Sequence, residues 1–299
     1  MNYQWYPGHM TKAKRMMEEN VKLVDLIIEL LDARAPISSR NPEIDKLGAN
    51  KSRVILLNKS DLADPHSNKV WKEYFEQLGA HVVEINSKTG AGVKSIQGVV
   101  NEACKEKIER DKRRGILNRP VRAMVVGIPN VGKSTFINAF AGKACTKTGN
   151  KPGVTKGKQW IRLNKSLELL DTPGILWPKF EDQSVGKKLA FIGSINDNIL
   201  IVDEMALDLI TYLVEKYPNQ MMKRFLFEEG FSKESNIEIL TNIAIVRKCF
   251  KKGQEVDLEK AAGILIEEFR SGKIGRMTLE TPEELGLIKK AEKKNENPE

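Results

Sequence analysis

The chain reads as an α/β domain with a parallel sheet, followed by a small all-helical C-terminal unit. Three observations predict this. Short apolar runs at 26–31, 54–57, 81–85 and 121–126 alternate with helical stretches. The octet Gly127-Ile-Pro-Asn-Val-Gly-Lys-Ser134 follows the fourth run directly and opens a further helical stretch. From Asp203 onward the apolar spacing is three-to-four residues throughout.

The octet is a GxxxxGKS phosphate-binding loop in the strand–loop–helix context that the motif requires. Its glycines let backbone N–H groups of Asn130, Val131, Gly132, Lys133, Ser134 and Thr135 turn toward phosphate oxygens at a helix N-terminus. Lys133 is a cation for the β- and γ-phosphates, and the Ser134 hydroxyl is a ligand for Mg2+.

The N-terminal segment, residues 1–20, mixes Tyr3, Trp5, Tyr6, a Pro7-Gly8 turn and His9 with basic residues, and becomes helical from Thr11. His9 by its spacing alone proves no chemistry. The run Leu26–Leu31 is a buried strand that ends at Asp32-Ala33-Arg34. Helical stretches near 41–48 and 68–78 flank a second strand, Val54–Leu57, ending in Asn58-Lys59-Ser60-Asp61. A third strand, His81–Ile85, ends in Asn86-Ser87-Lys88. This alternation predicts helices on both sheet faces and a site at the carboxyl ends of the strands.

NKSD matches the NKxD signature of guanine recognition. The Asp61 carboxylate accepts from the ring N–H and the exocyclic amine of guanine, whereas adenine leaves it unsatisfied. The Lys59 stem lies along the base, Asn58 ties this loop to the phosphate loop, and Asn86-Ser87-Lys88 supply a backbone contact to the base. A solvated turn would look the same in isolation; the phosphate loop makes the guanine reading the better one.

Residues 92–119 read as charged helix. Beyond the phosphate loop, Lys151–Gly157 is a loop with Thr155 at a switch position, a second protein ligand for Mg2+. Strands near 159–163 and 167–170 follow, and the second ends in Asp171-Thr172-Pro173-Gly174, a DxxG motif. Asp171 would hold Mg2+ through water, and the Gly174 N–H would sense the γ-phosphate. In the helical unit, stripes such as Met205/Leu209/Tyr212/Leu213, Ile239/Ile243/Val246/Phe250 and Leu258/Ala261/Leu265/Phe269 predict a bundle core.

Composition narrows the class. The 299 residues carry a formal charge of +9, which favours a polyanionic partner over a neutral one. Basic residues gather at Lys223-Arg224, Arg247-Lys248, Lys251-Lys252 and Arg270–Arg276, suited to RNA phosphate, although a solvated basic face would show the same clusters. Three widely spaced cysteines form no metal or disulfide framework, which suits a reducing compartment, so a cytoplasmic location is expected. No apolar run approaches the roughly eighteen residues needed to span a membrane, so no membrane partner is expected.

The motif order is unusual: base recognition (58–61, 86–88) precedes the phosphate loop, the switch threonine and DxxG. With Trp5-Tyr-Pro-Gly-His-Met10 and Asp32-Ala-Arg34, this order resembles the circularly permuted GTPases of the RbgA/YlqF group of ribosome-assembly factors. The resemblance covers residues 5–177. It implies a permuted P-loop GTPase domain over 21–177 and a helical, RNA-binding unit over 178–285, while the polar, charged composition of 286–299 predicts a disordered tail. It also implies GTP hydrolysis, with GDP as product, coupled to late maturation of the large ribosomal subunit and its rRNA and proteins; the free protein is expected to be a monomer. Ile175 stands where many GTPases carry the glutamine that orients attacking water, and isoleucine can neither donate nor accept. The resemblance implies His9 as the catalytic group instead, alongside Lys133, and Asn130 matches the pattern of potassium-stimulated members, adding K+ as a cofactor. A nucleotide-gated scaffold without turnover is the rival reading that Ile175 supports; a signalling GTPase with a protein partner fits the charge less well. Because the order attaches the segment after 178 to DxxG, the second unit is placed to feel the nucleotide state.

Overall fold

The computed structural model describes residues 15–116, 119–146, 159–172, 174, 182–197 and 200–288. His9, Thr155, Ile175, the expected boundary at 177/178 and the tail from 289 lie outside them.

A six-stranded sheet carries the fold, in the order β3-β2-β1-β4-β6-β5. Its strands are β1 Leu26–Asp32, β2 Ser52–Asn58, β3 His81–Ile85, β4 Val121–Val126, β5 Gln159–Arg162 and β6 Leu167–Asp171. Every pairing is parallel except β5 with β6, where the chain turns back and adds an antiparallel edge strand. The chain builds outward from β1 to β3, then returns to β4 on the other side of β1. The resulting switch point between β1 and β4 is where an open α/β sheet leaves a crevice at its carboxyl edge.

The strands read as near-continuous apolar runs because helices cover both faces. Leu26, Ile28 and Leu30 face one apolar cluster with Val54, Leu56, Ala123 and Val125. The alternate residues face the other side, Ile27 with Met124, Val126 and Leu170, and Leu31 with Leu57, Trp71 and Phe75. Helices α1 Pro42–Leu47 and α2 Pro65–Gln77 each begin with proline behind a capping side chain, Asn41 and Asp64, which accept from Glu43 N and Ser67 N. The charged stretch divides at Cys104 into α3 Ile96–Ala103 and α4 Lys105–Arg113. Helix α5, Lys133–Ala141, starts at Gly132 with no side-chain cap.

The helical unit comprises α6 Gln183–Phe191, α7 Val202–Lys216, α8 Pro218–Phe225, α9 Asn236–Val246 and α10 Leu258–Arg270. Its core (Leu189, Leu209, Leu213, Ile243, Leu265, Phe269) continues the apolar cluster of the sheet face. One expected core position is corrected: α9 ends at Val246, Lys248 takes a left-handed φ of +54°, and Phe250 is exposed while Cys249 is buried instead.

Candidate nucleotide site

The motifs that the sequence separates meet at the carboxyl edge of the sheet. Asn58 is the hinge pin. Its Nδ2 donates to the Val131 carbonyl at 2.7 Å, and its Oδ1 accepts from Ser87 N at 3.0 Å and Ser87 Oγ at 2.8 Å. One buried amide thus fastens the ends of β2, β3 and β4 together. A Cβ at Gly132, where φ is +100°, would stand 2.4 Å from Asn58 Nδ2, so this join requires glycine. Asn86 Oδ1 caps its own turn by accepting from Lys88 N and Thr89 N, both near 3.0 Å.

Lys59 and Asn130 both hold φ at +57°, a conformation that costs non-glycine residues energy and is kept only where contacts enforce it. For Lys59 the contacts are plain. Its Nζ donates to Asp32 Oδ2 at 2.9 Å and to the Asn130 carbonyl at 3.0 Å. Asp32 is buried and also receives the Arg34 fork, Nε to Oδ1 at 2.9 Å and Nη2 to Oδ2 at 2.8 Å. Burial opposes ionisation of Asp32, but the Arg34 and Lys59 charges prevail and hold its carboxyl far below the usual range. Burial conversely lowers Lys59, against the pull of Asp32. Asp61 itself is exposed at the rim. Asn130 Nδ2 reaches the Gly193 carbonyl at 2.8 Å, joining the phosphate loop to the turn after α6.

The phosphate end differs. Lys133 is buried, and its Nζ turns back onto its own loop, donating to the Gly127 and Ile128 carbonyls at 2.9 and 3.1 Å. Desolvation pushes its pKa down to about 8 despite the Asp171 charge. Asp171 is buried too; desolvation raises its carboxyl to about 6 against the lowering by Lys133, and Oδ1 has no hydrogen-bond partner. A Cβ at Gly174 would lie 2.9 Å from Lys133 Nζ, which brings DxxG against the phosphate-loop lysine. An orphaned buried carboxylate oxygen at the end of β6, together with a serine on the first turn of α5, fits a hard divalent cation held through oxygen ligands. Ser134 and Thr135 stand half-buried on the first turn of α5.

Sequence reasoning reached Asp32 and Arg34 only by resemblance and did not pair Asp32 with Lys59. Its basic clusters also divide. Arg224 and Arg247 pair with Glu268, and Arg270 forks onto Asp197 and donates to the Phe191 and Ala190 carbonyls. Arg276 donates to the Ala63 and Ser60 carbonyls. Lys223, Lys248, Lys251, Lys252 and Lys273 are exposed, as is Arg276 despite its two carbonyl bonds.

Residues 122–245 match the protein family described as 50S ribosome-binding GTPase. The match begins at β4 and leaves the base motifs outside it, as the permuted order requires. Over 286 residues the chain is 46% identical to ribosome biogenesis GTPase A of Bacillus cereus, covering 96% of each protein. The crystal structure of GNP-bound YlqF from T. maritima aligns with a TM-score of 0.63 at 30% identity, covering 91% of this chain and 99% of that one. The GDP-bound structure of TM YlqF gives 0.64 at 28% identity, over 89% and 99%.

Proposed function

The chain belongs to the ribosome biogenesis GTPase A family, and from that premise we propose that it hydrolyses GTP on the large (50S) ribosomal subunit late in assembly, with the subunit stimulating turnover. That it is a GTPase of ribosome biogenesis follows from membership; the subunit and the stimulation are our reading. The observation that carries it is the joining of the base loops and the phosphate loop by Asn58 into one crevice, in a chain so similar to the Bacillus protein along nearly its whole length.

In this reading Asp61 selects guanine, the Lys59 stem backs the base, and the amides of Ser87 and Lys88 complete the pocket. Lys133 swings from its own carbonyls onto the β- and γ-phosphates, with amides of residues 130–135 around them. Ser134 and Asp171, with Thr155, would hold Mg2+, which when bound neutralises charge developing on the phosphate oxygens. The Gly174 N–H reports the γ-phosphate. Ile175 cannot orient water, so His9 is assigned that task, brought into place by the ribosome. K+ near Asn130 is a further cofactor in this reading. The exposed lysines of the helical unit face rRNA phosphate, which predicts salt-sensitive binding to the subunit or its precursor; the free protein is a monomer.

The test is GTP hydrolysis in potassium buffer, with and without purified large subunits, for the unaltered chain and His9→Ala. Stimulation lost in the variant, with subunit binding retained, is the expected result. Equal rates for both proteins would remove His9 from the mechanism, and no stimulation by any subunit preparation would return the scaffold reading.

A further inference from the structure

The base-recognition loop is held from an unexpected direction. After α10 the chain leaves the helical unit as an extended strap, residues 276–280, and runs across the loop that carries Asp61. Three successive groups of the strap bind four backbone groups of that loop. Arg276 donates through Nε to the Ala63 carbonyl at 2.9 Å and through Nη2 to the Ser60 carbonyl at 3.1 Å. Met277 N donates to the Leu62 carbonyl at 2.9 Å, and Thr278 Oγ1 accepts from Asp64 N at 3.1 Å. Residues on both sides of Asp61 are therefore tied down, while the Asp61 side chain stays exposed.

The strap is itself fixed. Tyr212 and Tyr217 donate to the Thr278 carbonyl at 2.9 and 2.8 Å, and Tyr217 accepts from Thr278 N at 2.8 Å. Leu279 N donates to the Arg34 carbonyl at 2.6 Å, and the buried Glu280 carboxylate accepts from Ser38 N at 2.7 Å and Lys188 Nζ at 3.0 Å. Bonds this dense are more than the end of a helical bundle needs. A carboxylate that reads two N–H groups of one base edge must be held to within about 0.5 Å and 10–20°, and a site on a loop is less precise than one on a helix or strand unless other groups support it.

We propose that this strap is a determinant of guanine specificity, with Arg276 and Thr278 as positioning residues that act through Asp61. The inference rests on the assignment of Asp61 as the guanine reader. It gives the helical unit a second hold on the nucleotide, through the base as well as through DxxG.

The test compares GDP with inosine diphosphate, which lacks only the exocyclic amine, by titration calorimetry on the full chain and on Arg276→Ala, Thr278→Val and Arg276→Lys. The two disrupting variants should lower the GDP:IDP affinity ratio about tenfold, the order expected for losing a hydrogen bond to a charged group. Arg276→Lys, which keeps a cationic donor but not the fork that spans both carbonyls, should restore part of it. Thr278→Val preserves shape in the buried strap, so the outcome does not hang on one variant, and thermal melting reports folding. Equal losses for GDP and IDP, or a ratio unchanged in folded variants, would overturn the role of the strap. Asp61→Asn is the control. If it leaves the ratio intact, the base assignment itself fails; if it alone destroys the ratio, the assignment stands and the strap proposal falls.

Discussion

Two aspartates end neighbouring regions of the same sheet edge and live under opposite conditions. Asp32, at the end of β1, is buried against Arg34 and Lys59 and receives hydrogen bonds on both oxygens. Asp171, at the end of β6, is equally buried, yet Lys133 acts on it only through its charge, and one oxygen is bare. The proposed base side is thus finished by protein groups alone: Asn58, Ser87, Lys59 and the strap all have protein partners. The phosphate side stores unmet charge. Lys133 is desolvated and bonded to its own loop, and burial raises the Asp171 carboxyl. Under the proposed assignment the two sides divide the labour: specificity is built in rigidly, while the nucleotide and its cation complete the part that must change when the γ-phosphate leaves.

The largest effect should come from breaking the finished side. Asp32→Ala leaves Arg34 and Lys59 as buried charges without their anion, which costs about 3–5 kcal/mol. Its sign with pH follows from the depressed carboxyl. The stabilisation is full above the ordinary aspartate value near 4 and fades only as pH falls through the lower folded value. Denaturant melts at pH 7 should show the loss in the absence of nucleotide, and an unchanged midpoint would mean that the base side is not prebuilt.

Asp171→Asn should act the other way. A carboxyl raised to about 6 contributes stability present below pH 4 and lost as pH rises through 6. The amide removes that loss, so the ligand-free chain should gain on the order of 1 kcal/mol at pH 7.5, part of the gain being offset because Lys133 loses its counter-charge. The same variant should lose the stabilisation that Mg2+ adds to bound GDP. A variant destabilised at pH 7.5 without ligand would put Asp171 with Asp32, as structural, and erase the contrast.

The two regions were unequally legible in the sequence. Motifs that act locally could be read directly, since the glycines, lysine and serine of 127–134 and the NKSD of 58–61 carry their chemistry within a few residues. The contacts that finish the base side are not local. Arg276 and Ser60 lie 216 positions apart, and no period or composition links them. Charge counting could not sort the basic clusters for the same reason: the arginines at 224, 247, 270 and 276 bind Glu268, Asp197 and backbone carbonyls, while the neighbouring lysines are exposed. Helical spacing misled at Phe250 because the stripe outran its helix, which the left-handed turn at Lys248 ends. His9 and Thr155, the groups that would complete the phosphate side, lie outside the described residues, so that half rests on sequence reasoning about Ile175 and the switch loop.

A smaller effect is expected where Ser87 meets Asn58. Ser87 sends two donors, its N–H and its hydroxyl, to the same Asn58 oxygen. In Ser87→Ala the N–H remains, no buried acceptor is orphaned, and the cost should be about 1 kcal/mol or less. GDP affinity should therefore change by less than about fivefold. If the side is finished chiefly by backbone groups on a fixed frame, this one hydroxyl is a redundant tie. A loss beyond tenfold in calorimetric GDP affinity would show that Asn58 needs both donors to hold the phosphate loop. The base side would then be as conditional as the phosphate side across from it.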